Sequence, residues 1–174
     1  MESECIVGAV PFAYYGRLSR RDKAIYDRSD AVASIVLPLP EPLRPMVEVL
    51  RSGLAADDRR AVEAASQAVV RAITESLGVE PVDVEVLAVR PRLRSAGELH
   101  GLYTKEEGRR PRIRVWMRTV QFKRVVAFRT FLRTLLHEVC HHLDYTHLRL
   151  ADSFHTQGFF KRESSLFHQL VPRA

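Results

Sequence analysis

The chain has 174 residues, 46% hydrophobic and 28% charged, which fits one ordinary globular domain with room for an accessory segment. No apolar run approaches the roughly 18 residues of a membrane span, the opening MESECIVGAVPF has glutamates where a secretion signal carries positive charge, and two cysteines, Cys5 and Cys140, make no disulfide framework; a cytoplasmic protein outside the membrane is expected. The net charge of +6 is concentrated, because residues 90–133 hold 13 Lys and Arg against 3 Asp and Glu while the rest holds 14 against 18. Such a basic stretch suggests an anionic partner, nucleic acid above all, or a plain arginine-rich solvated surface.

In chain order, LSRRDKAIYDRSDAV reads as a short helix with Ser19 as N-cap and Asp22 in its first turn. Prolines at 38, 40, 42 and 45 impose an extended connector, and a second short helix follows at about 43–52, ended by Gly53. Residues 57–77 open on Asp57-Asp58 and stop before Gly78. Val62, Ala65, Val69, Ile73 and Leu77 give them one apolar helical stripe. The period then changes. VDVEVLAV, ELHGLYT and RIRVWMRT read as three strands, with KEEGRRP supplying the turn before the last.

In RIRVWMRT the residues Ile113, Val115 and Met117 face one way, and Arg112, Arg114, Trp116 and Arg118 the other. The second face is either solvated, or an edge that receives a peptide, or a basic-aromatic surface for nucleic acid. From about Gln121 to Tyr145 no Gly or Pro intervenes, and Phe128, Leu132, Leu135, Leu136, Val139 and Leu143 form a broad apolar helical face. A final helix is expected over 153–170. The order predicts an α+β fold: a helix, a three-stranded antiparallel sheet, a long helix and a C-terminal helix. Residues 1–54 form a mostly helical extension, and residues 55–174 form the main domain.

Five of the seven histidines fall in HEVCHHLDYTHLRLADSFHTQGFF, which begins with HExxH. On a helix His137 and His141 lie about 40° apart, opposite the apolar face, so they can hold one metal ion while Glu138 projects beside them. Zinc in such a site lowers the pKa of its water to about 7, and Glu138 is placed to take the proton as a carbonyl is attacked and to pass it to a leaving amine. Asp144, on nearly the same face, orients an imidazole or sits at the surface. His142 and Cys140 lie off the histidine face, Cys140 as a small buried hydrophobe.

Zinc needs a third protein ligand. His147 completes H-x3-H-x5-H, a spacing shared with metzincin proteases and with YbeY-type endoribonucleases. Asp144 stands where the metzincin glycine would be, and no methionine follows Met117. His155, after a loop, is the other histidine, and Glu163 would be an acidic alternative. Arg162, His168 and Tyr145 are the available donors for an oxyanion.

GLYTKEEGRRPRIRVWMRT, LLHEVCHH and FHTQGFFKRE together resemble the paired strands, motif helix and third-histidine segment of SprT-like zinc metallopeptidases, the group that includes Spartan. The resemblance covers about residues 57–170 and implies a zincin-like core. His137, His141 and His155 would be Zn2+ ligands, Glu138 the catalytic base, and RIRVWMRT a border of the substrate cleft. It implies a zinc-dependent peptidase with a protein or peptide substrate, and the basic stretch of residues 90–133 suggests work near nucleic acid. Two alternatives are a metal-dependent endoribonuclease using His137, His141 and His147, and a non-catalytic zinc-stabilised binding module.

Overall fold

A computed structural model describes residues 12–89, 92–93, 97–98 and 100–172. Helices α1 (Arg20–Asp30), α2 (Arg44–Ala55) and α3 (Arg59–Ser76) precede strand β1 (Asp83–Val89). The short pair β2 (Arg92–Leu93) and β3 (Gly97–Glu98) leads to β4 (Gly101–Thr104) and β5 (Arg112–Arg118). Helices α4 (Phe128–Thr146) and α5 (Gln157–Leu170) end the chain. The class is α+β, as expected.

The sheet order is β1-β5-β4, with β5 antiparallel to β4 but parallel to β1, so the sheet is mixed rather than antiparallel. The reason lies in the strand order. β4, although it comes earlier in the chain than β5, does not pair with β1, and β5 lies between the two. RIRVWMRT is therefore the central strand and cannot receive a peptide along an edge. The two real edges differ. Along β1, Gln67 bonds the Val82 carbonyl and the Val84 N–H, Glu63 takes the Val86 N–H and Arg59 bonds the Val86 carbonyl. Side chains of α3 thus close that edge. The other edge, β4, runs beside α4.

Val84, Val86, Ile113, Val115 and Met117 make the sheet's apolar face. They share one continuous core with Val62, Val69, Val70 and Ile73 of α3, Leu132, Leu135, Leu136 and Val139 of α4, and Phe159, Leu166 and Phe167 of α5. Leu43, Val47, Leu50 and Leu54 of the N-terminal region belong to the same core, and Gln169 of α5 holds the proline-rich connector by bonding the Leu37 N–H and the Ile35 carbonyl. On the opposite sheet face Arg112 and Arg114 converge on Glu85, but Trp116 is buried rather than solvated.

Three helix limits depart from the pattern in the sequence, the first being that α5 begins at Gln157, after a loop through 153–156, rather than at 153. Gly53 does not end α2; its bare Cα lies where α2 meets α3, and a Cβ there would stand 3.2 Å from Val62. Residues 121–127 do not open α4. Val126 bonds back to Met117 and Thr119 to Arg124 around Lys123 in the left-handed region, so the segment is a turn tied to the end of β5. Ser19, Asp58 and Thr156 cap α1, α3 and α5 through their side chains.

Candidate metal centre

Helix α4 presents His137, Glu138 and His141 on the side facing β4, and the loop before α5 carries His155 to them. The Nε2 atom of His155 lies 3.0 Å from Nε2 of His137 and 3.0 Å from Nε2 of His141. One ligand atom from each of the three lies within 4.8 Å of the others, so this cluster can hold a metal ion. Their floor is Phe159, fully buried, with its ring centroid 4.9, 4.7 and 5.2 Å from those of His137, His141 and His155. Phe159 reaches this place because Thr156 caps α5 and accepts its backbone N–H.

The donor set fits a cation. His137 Nδ1 lies 3.1 Å from Glu163 Oε2, and His141 Nδ1 lies 2.7 Å from Ser153 Oγ. Ser153 donates its own hydrogen to Asp144 Oδ2 at 2.7 Å, so His141 Nδ1 must carry the proton of that bond. The carboxylate of Glu163 favours the same tautomer at His137. Two Nε2 lone pairs are thereby aimed at one point. The 3.0 Å spacing is a few tenths short of the ~3.3 Å between nitrogens at a tetrahedral zinc with bonds of ~2.05 Å. Burial, with the neighbouring imidazoles, holds His141 down to about 3, and burial with His137 also lowers His155; both favour the neutral, ligating form.

Glu138 is only 6% exposed. Burial pushes its carboxyl up to about 7, against the pull of His137 and of the Tyr103 backbone, which donates a hydrogen bond to it. The neighbouring residue on β4 is Gly101, and a Cβ there would come within 2.4 Å of Glu138 Oε1. Only glycine lets the strand approach this closely. Gly101, Leu102, Tyr103 and Tyr145 line a cavity of about 350 Å³ with the three histidines and Glu138. A second cavity, about 450 Å³, continues past His137 along His100, Thr130, Thr134 and Glu163. The cluster thus lies in a cleft bordered by β4, not by β5.

The other residues singled out by the sequence separate clearly. His147 is the exposed C-cap residue of α4 and stands outside the cluster. Glu163 supports His137 in place of joining the ligand set. Asp144 is fully buried, bonded to Ser153 and to Arg162, and so orients an imidazole rather than lying at the surface. Arg162 is also fully buried and points away from the cleft, while His168 sits in the last turn of α5. Tyr145 lines the cavity, its hydroxyl donating to Asp152 at 3.2 Å. His142 is buried between the Glu80 carbonyl and the Tyr103 hydroxyl, and Cys140 is buried in the core. Sequence spacing gave no sign of Ser153, Gly101 or Phe159, since each acts through a partner that only the fold supplies.

Among the described residues no helix is long and apolar enough to cross a membrane. No protein-family model, curated protein or solved structure matches the chain.

Proposed function

We propose that the chain is a zinc-dependent metallopeptidase of the SprT-like kind, using His137, His141 and His155 as ligands and Glu138 as general base. The carrying observation is the buried Glu138 carboxylate, held by the β4 backbone beside three converging imidazole nitrogens. A three-imidazole set suits zinc, which when bound would supply Lewis acidity and an acidified water. Glu138 takes the proton from the attacking water and returns it to the leaving amine. Tyr145 is the donor for the developing oxyanion, because its present partner, Asp152, is exposed and can be given up to solvent. An extended segment of an unfolded protein would lie in the cleft lined by β4, because Gly101, Leu102 and Tyr103 border the cavity at the histidines and α3 side chains close the β1 edge.

Two observations weigh against the alternatives. A ribonuclease site through His147 lacks its third imidazole, because His147 stands apart. In the basic stretch Arg110, Arg112, Arg114 and Arg118 face Asp83, Glu85 and Asp57, and Arg109 faces Glu106, so five of its 13 basic residues already face a carboxylate. Work near nucleic acid is therefore proposed only as proximity, with little affinity of this domain's own. The test of the main reading is Glu138→Gln. It should keep zinc and lose cleavage of an unfolded protein substrate. Full cleavage by the zinc-loaded variant would remove the peptidase reading and leave the non-catalytic module.

A further inference from the structure

Behind the imidazoles lies a polar chain that the peptidase reading does not use. Arg162 of α5 is fully buried, yet it donates from Nη1 to the Ser29 and Val32 carbonyls at 2.6 and 2.7 Å. From Nη2 it donates to Ser29 Oγ at 3.0 Å and Asp144 Oδ1 at 2.8 Å. Ser29 lies in the last turn of α1 and Val32 follows the helix. Asp144 in turn fixes Ser153, whose Oγ fixes His141. Burying a guanidinium is costly unless its donors meet acceptors; both Nη groups of Arg162 are met, Nε is left without a partner, and three of the four acceptors come from the N-terminal segment.

The same segment reaches the third histidine by a separate route. Tyr14 donates its hydroxyl to the His155 carbonyl at 2.6 Å. Asp30 Oδ1 accepts the Gly158 N–H at 2.8 Å, and a Cβ at Gly158 would meet the Asp30 carbonyl at 2.4 Å, so α1 abuts the first turn of α5 directly. Tyr26 adds ring contacts to Tyr14 and Phe154.

We infer that residues 13–32 are a built-in clamp on the metal centre, setting the position of His155 through Tyr14 and Asp30 and the orientation of His141 through Arg162, Asp144 and Ser153. This assigns a role to a segment that has no counterpart in the family resemblance. It rests on the metal-holding half of the proposed function and not on peptide cleavage. Groups that hold a ligand imidazole from behind commonly change metal affinity 10–100-fold when removed. Arg162 itself is a poor test, because its loss strands Asp144 in the core. Ser153, Tyr14 and Asp30 are partly exposed and can be changed in a folded chain.

The experiment compares zinc affinity, by chelator competition, for the full chain, Ser153→Ala, Ser153→Thr and the double variant Tyr14→Phe/Asp30→Ala, with circular dichroism to confirm folding. The metal-free chains are also examined by ¹⁵N imidazole NMR. The expected result is a loss of about 10–100-fold for Ser153→Ala, recovery with Thr, and a loss of about 10-fold for the double variant. In the metal-free wild type the His141 proton should sit on Nδ1, and in Ser153→Ala that preference should relax. Folded variants with wild-type affinity and an unchanged His141 tautomer overturn the clamp alone. A wild-type chain that binds no zinc removes the metal reading, and the clamp with it.

Discussion

The front and the back of the metal centre are built on opposite principles. The front is three imidazoles and one carboxylate open to a cleft, two of the imidazoles and the carboxylate lying within five residues of one helix. The back is Asp144 and Arg162, both fully buried, joined across α4, α5 and the end of α1. Chemistry can be written into a short motif because one helical turn sets its spacing. Rigidity cannot, because the groups that hold an imidazole from behind must come from other elements. The front should therefore tolerate substitution in folding terms and lose function, whereas the back should lose the fold.

The largest effect is expected at the back. Arg162→Met leaves Asp144 buried without its cation and should cost about 3–5 kcal/mol, read as a lower denaturant midpoint. A shift within the scatter of surface variants would mean that the buried pair does not anchor α1. At the front, Glu138→Gln should lower kcat/KM by a factor of about 10²–10⁴ while circular dichroism and zinc content stay at wild-type values.

A subtler break is Gly101→Ala. The added methyl occupies the place of Glu138 Oε1, so the carboxylate must move. Turnover should fall about 10–100-fold with zinc retained. Unchanged turnover would show that Glu138 works from another position. Smallest of all, DNA binding should be weak and should vanish as salt rises, since the arginines of β5 and the preceding turn are already paired with carboxylates. Tight, salt-resistant binding would restore nucleic acid as a principal partner.

How far these features could be read in the sequence follows the same divide. The apolar stripe of α3, the alternation in β1 and β5 and the HExxH face of α4 are local periodicities, and the structure keeps them. His155 was reachable through the resemblance carried by FHTQGFFKRE, and the structure brings it to the other two histidines. The parallel pairing of β1 with β5 was not legible, because alternation sets which face a residue takes and not which strand lies beside it. Trp116 went astray for a related reason: its neighbours Arg114 and Arg118 suggested solvent, but the tertiary fold covers the ring. Gly53 carries the signature of a helix end, yet a close helix crossing requires the same residue. Ser153 looks like any loop serine until Asp144 and His141 are placed on either side of it.

The three-histidine centre is tested most directly by elemental analysis of zinc per chain for wild type, His155→Ala and His147→Ala, each confirmed as folded. About one zinc is expected in wild type and in His147→Ala, with loss of the metal in His155→Ala. Zinc retained by folded His155→Ala and lost from His147→Ala would contradict this, and would move the centre to the other end of the loop.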